Sequence, residues 1–131
     1  MMSQRSSEYY LFLDLVSSSD FVIVEFTPQG KVRRRERLTA SWRTEQVLPR
    51  LATVVGPGND RPRGILVAQG SGSFTRTRLI CTVVNALAYA SQIPLAAVDS
   101  RLSVAKIVQS LPKLSWQKRL DPHYLGPAVG G

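Results

Sequence analysis

Asp14 is the first residue of this chain whose type and place could do chemistry, standing near the end of an apolar run from Tyr9 to Val16 where a carboxylate could face a metal ion or a phosphate. Metal-assisted hydrolysis needs several carboxylates converging on one site. The corresponding run from Gly64 ends in Gln69 instead, and Asp99 falls one strand further away. Asp14 is therefore read as a turn or cap residue, a place that aspartate favours. Ser71 and Ser73 have the type of a nucleophile, but a serine needs a base within hydrogen-bond reach. The sole histidine, His123, lies far away in the C-terminal segment.

Two further kinds of chemistry lack the residues they need. Cys81 is the only cysteine, which rules out an internal disulfide, and with a single histidine there is no His/Cys set to hold zinc. Gly70-Ser71-Gly72-Ser73 could cradle an anion at the start of a helix, where free amides and the helix dipole attract negative charge. It lacks the lysine of a P-loop. Thr75 occupies the third glycine position of G-x-G-x-x-G, and the ribose-binding acid expected about twenty residues on is missing. The segment reads as a tight turn, and the expectation is a protein that is not an enzyme and carries no metal or cofactor of its own.

Charge offers more. Lys and Arg number 17 against 9 Asp and Glu, a net charge of +8 that favours RNA or an acidic protein as partner. The densest run is Lys31, Arg33, Arg34, Arg35 and Arg37. Strand alternation would put Arg33, Arg35 and Arg37 on one side, as a track for phosphates. The same charges would also shield an edge strand from pairing with other chains, and both readings stay open.

The elements that must position these residues are legible in order. With 131 residues, 44% of them hydrophobic, the chain suits one globular domain. Tyr9 to Val16, Phe21 to Phe26 and Val32 to Leu38 read as three strands, separated by Ser17-Ser18-Ser19-Asp20 and by Thr27-Pro28-Gln29-Gly30-Lys31. A helix is expected from about Trp42 to Val55, its stripe made by Val47, Leu48, Leu51, Val54 and Val55. Gly64 to Ala68 is a buried strand, Thr75 to Ala90 a helix, and Leu95 to Val98 a parallel strand after the break at Pro94. Ser100 is expected to cap a last helix reaching Leu111. This divides the chain into a lobe, 1–111, and a tail, 112–131, lying on it or partly mobile. No stretch reaches the roughly 18 apolar residues of a membrane span, and the start, Met1 to Glu8, is polar; the expected location is the cytoplasm.

The order βββαβαβα is that of ribonuclease H-like and actin-like ATPase lobes, α/β with a five-stranded mixed sheet in the order 3-2-1-4-5 and helices on both faces. The helix from Thr75 carries apolar or small residues nearly all round, Leu79, Ile80, Cys81, Val83, Val84, Ala86, Leu87, Ala88 and Ala90, so it must be covered on two sides. The second cover is either the helix from Trp42 or a partner chain.

From Gly64 the chain resembles one family in detail. Gly70-Ser71-Gly72-Ser73-Phe74-Thr75-Arg76-Thr77-Arg78, led in by Ile65-Leu66-Val67-Ala68, is similar to the TsaB (YeaZ) signature G-P-G-S-F-T-G-x-R, with Ser71 in place of proline and Arg76 in place of glycine. Ile93-Pro94-Leu95-Ala96-Ala97-Val98-Asp99-Ser100 is similar to the family's I-P-L-x-G-V-S-S. Leu13-Asp14, Leu48-Pro49 and Pro122-His123-Tyr124-Leu125 fit its flanks. The family carries a second lobe, which this length does not accommodate.

The resemblance implies a non-catalytic scaffold that pairs with TsaD, the protein that performs the transfer in making threonylcarbamoyladenosine in tRNA. It implies an interface on the two helices of this lobe, shared between TsaD and a second copy of the chain. The residues expected there are Trp42, Leu48, Leu51, Arg76, Arg78, Leu79, Val83, Ala86, Leu87 and Ala90, with RNA met indirectly through the complex or directly by Arg33, Arg35 and Arg37. Nucleotide would bind only at an interface shared with TsaD. Two rivals remain: a basic ribonuclease H-like nucleic-acid binder or nuclease, and a pseudo-subunit that only self-associates.

Overall fold

The computed structural model describes residues 8–14, 21–38, 49–50, 61–69, 74–99 and 103–120. Its elements are β1 (Tyr10–Asp14), β2 (Phe21–Phe26), β3 (Val32–Leu38), β4 (Gly64–Gln69), α1 (Phe74–Ser91), β5 (Leu95–Asp99) and α2 (Val104–Ser110), followed by a 3-10 turn, Leu111–Lys113. The strands form one mixed sheet in the order β3-β2-β1-β4-β5, the order expected for a ribonuclease H-like or actin-like lobe. β1 pairs antiparallel with β2 and parallel with β4, and β4 pairs parallel with β5.

Both faces of the sheet are buried, which is why β1, β2 and β4 read as nearly unbroken apolar runs. Leu11, Leu13, Phe21, Ile23, Ile65 and Val67 pack under α1 through Cys81, Val83, Val84, Leu87 and Ala88. The alternate residues, Phe12, Val24, Phe26, Leu66, Ala68 and Val98, pack on the other face against Ile107, Val104 and Val108 of α2. A one-residue slip of register would exchange these two sets.

Local chemistry sets the turns. Gly30 closes the β2–β3 hairpin with φ of 96°, a value that glycine adopts without strain, and the Thr27 carbonyl accepts from its amide at 2.8 Å. α1 ends at Gln92, whose φ of 61° and 2.7 Å amide bond to the Ala88 carbonyl form a left-handed cap before Pro94. Arg61 donates from Nη1 to the Ser91 carbonyl at 2.7 Å, supplying the positive charge that the last turn of α1 lacks. The cap of α2 is Ser103 rather than Ser100. Its Oγ accepts from the Lys106 amide at 3.3 Å, so the helix begins a turn later than the sequence suggests. The helix from Trp42 lies outside the described residues except for Pro49 and Arg50, both helical.

Residues 111–120 pass from one face of the sheet to the other around the outer edge of β5. Leu111, Leu114 and Trp116 pack on the α2 face. Gln117 then exchanges two 2.7 Å backbone hydrogen bonds with Leu95, and Leu120 is buried in the core beneath α1. Asn85 of α1 fixes that end: its side chain donates to the Leu120 carbonyl at 2.9 Å and accepts from the Leu120 amide at 2.8 Å.

Candidate functional site

α1 divides cleanly by face. Cys81, Val83, Val84, Leu87 and Ala88 recur at three- and four-residue steps and are buried. Arg78, Thr82, Ala86 and Ala90, at four-residue steps, are exposed together with Tyr89, which is 84% exposed. The Thr82 hydroxyl donates to the Arg78 carbonyl at 3.0 Å, so this polar group is satisfied within the helix. Among the described side chains of α1, the outward face from Thr82 to Ala90 is low, and the Tyr89 ring projects from it.

This corrects part of the expected interface. Val83 and Leu87 belong to the chain's own core, at 2% and 7% exposure, and present nothing to a partner. Arg78, Ala86 and Ala90 are exposed. Arg76 and Leu79 lie on α1 with side chains outside the described set, and Trp42, Leu48 and Leu51 lie outside the described residues altogether. Tyr89 was missed because its neighbours Leu87 and Ala88 fit a buried stripe. An aromatic one position off that stripe was the available signal.

Beside Tyr89 opens a groove of about 420 Å³, lined by Ala88, Tyr89, Ile93, Pro94 and Trp116 with Gln92, Gln117 and Lys118 at its polar positions. The exposed face of α1 and this groove meet at Tyr89.

The arginine run is arranged differently from simple alternation. The β2–β3 register shifts between Glu25 and Phe26, leaving Arg33 as the extra residue of a bulge. Arg33 and Arg34 both reach Glu25, at 3.7 and 3.8 Å, and Arg33 lies 4.5 Å from the centre of the Tyr9 ring. Glu25 is buried on the α1 face, its side chain 6% exposed. Arg35 and Arg37 pair across from Val24 and Val22 and so stand on the opposite face, separated from Arg33. Arg50 meets Glu36 in a two-pronged ion pair, both bonds 2.9 Å.

Asp14 is buried at the end of β1, and Asp99 lies beyond β4, next to Gln69. Among the described residues no three His, Cys, Asp or Glu side chains gather where a metal could sit, and no helix is long and apolar enough to cross a membrane. Cys81 is buried on the side of α1 that faces the sheet.

Comparison with known proteins found no matching protein-family model and no matching curated protein. Solved structures do match. YeaZ from Pseudomonas aeruginosa aligns over 70% of this chain and 44% of its own, with 25% identity and a TM-score of 0.54. A second structure, described as an uncharacterized protein with similarity to peptidase YEAZ from Pseudomonas aeruginosa, aligns over 70% of this chain and 43% of its own, again with 25% identity and a TM-score of 0.54. The chain thus spans less than half the length of the YeaZ structures it matches. The likeness to the TsaB (YeaZ) family carried by residues 64–100 is borne out by the fold.

Proposed function

We propose that this chain is a non-catalytic partner subunit that pairs with a TsaD-type protein in the formation of threonylcarbamoyladenosine in tRNA. The observation that carries the reading is the exposed face of α1, Arg78, Thr82, Ala86, Tyr89 and Ala90, on a lobe whose fold matches YeaZ. A contiguous apolar patch on a protein surface marks an interaction site more than a lone exposed ring does, and Tyr89, 84% exposed, stands beside the exposed Ala86 and Ala90. Aromatic residues and arginine are enriched at the centres of interfaces, where a ring fills a pocket on the partner. Catalysis and any nucleotide would belong to the partner or to the interface formed with it, and the chain acts in the cytoplasm.

Co-expression with the TsaD-type protein of the same organism tests this: the two should co-purify at micromolar concentration. Two separate proteins on gel filtration would contradict it. A homodimer that forms equally well with and without the TsaD-type protein would favour the self-associating pseudo-subunit instead.

A further inference from the structure

β3 is the outer strand on one side of the sheet, and Lys31, Arg33, Arg34, Arg35 and Arg37 are all exposed there. The acids beside them are already engaged, Glu36 by Arg50 and Glu25 by Arg33 and Arg34. Arg33 is held from two directions, by the buried Glu25 and by the Tyr9 ring. Cations that merely kept other strands from pairing would serve as well if they were mobile. A guanidinium fixed in advance surrenders less freedom when it meets an anion, and its planar fork matches phosphate oxygens. The bulge puts Arg33 and Arg34 on one face, and Arg35 and Arg37, two residues and roughly 6.6 Å apart along the strand, stand on the other. One outer strand thereby offers cations on both faces, a geometry suited to a ligand with repeated negative charge.

We infer that β3 is a contact for the phosphodiester backbone of RNA, recognised by charge rather than by sequence. The cationic strand stands independently of any partner; only the choice of RNA over DNA rests on the function proposed for the chain.

The test is fluorescence anisotropy with the full chain and a labelled RNA hairpin, repeated with a DNA hairpin of the same sequence, from about 50 to about 200 mM salt. RNA should bind at least as tightly as DNA, and its affinity should fall steeply with salt. The double variant Arg35→Gln/Arg37→Gln should reduce the salt slope by about 1 for each phosphate contact removed. The double variant Lys113→Gln/Arg119→Gln, which removes the same charge from exposed positions elsewhere, should keep the slope, and thermal unfolding should show all three proteins folded. Absence of RNA binding, or equal losses in the two double variants, would overturn the assignment to β3. DNA bound more tightly than RNA would overturn the choice of RNA. Co-purification of Arg35→Gln/Arg37→Gln with the TsaD-type protein is expected to be unchanged, so failure of the RNA contact and failure of the partner reading are read separately.

Discussion

Gly64 lies directly beneath the indole of Trp116: a β-carbon placed on the glycine would stand 2.6 Å from Cη2 of the ring. The contact closes a row across the sheet. Gly64 and Phe26 flank Tyr10 in register, Tyr10 stacks on Phe26 with centroids 5.6 Å apart, and Trp116 stacks on Tyr10 at 6.0 Å. Glycine at the start of β4 is thus what lets the segment after α2 lie flat on the sheet and carry Gln117 to its edge.

Gly64→Ala should therefore overpack this row and destabilise the fold by about 1–3 kcal/mol. Trp116→Leu in the same chain should relieve part of that loss, because the smaller side chain leaves room for the added methyl. Urea unfolding of both single variants and the double variant measures the coupling, and strictly additive losses would mean that the two residues do not share the space.

Glu25 supplies a second cycle. Its carboxylate is buried and faces two arginines, so losing either arginine leaves the other as a partner, whereas losing both leaves a buried charge uncompensated. Arg33→Ala/Arg34→Ala should cost at least about 1 kcal/mol more than the two single variants added together. Glu25→Gln in the doubly substituted chain should recover much of that excess. Denaturant midpoints at neutral pH are sufficient to decide it.

Asn85 pairs with the backbone of Leu120 through both ends of its amide. Asn85→Ala should cost about 1–3 kcal/mol, the range for polar groups left without partners when partly buried. Hydrogen exchange at the Leu120 amide should quicken more than exchange in β1 or β4. Uniform quickening would show a global loss instead of release of this one strap.

The five strands and α1 are legible in the sequence because a short run rich in strand or helix formers is closed each time by a clear break: the apolar run of β2, the Pro28–Gly30 turn, and Pro94 after α1. Ser100 and Ser103 are both plausible caps, and local sequence does not choose between them; the start of α2 is fixed by the packing of Val104, Ile107 and Val108 on the sheet. Residues 112–120 read as a tail because Leu114, Trp116 and Leu120 follow no period. They contact opposite faces of the sheet while the backbone turns around an edge, an arrangement that no helical or strand template matches. The bulge at Arg33 was hidden for a similar reason, since five charged residues in a row carry no apolar mark of register. On α1 the apolar count was right in kind, but Val83 and Leu87 go to the core, and the exposed ring is Tyr89.

Ala86 tests the exposed face of α1 as a partner surface most directly, because it is exposed while its helix neighbour Leu87 is buried. A surface change there should alter stability by no more than about 0.5 kcal/mol. Light scattering coupled to gel filtration, with the TsaD-type protein of the same organism, should show a complex with the natural chain and none with Ala86→Glu. A complex that forms equally well with Ala86→Glu, or no complex with the natural chain, would contradict the account.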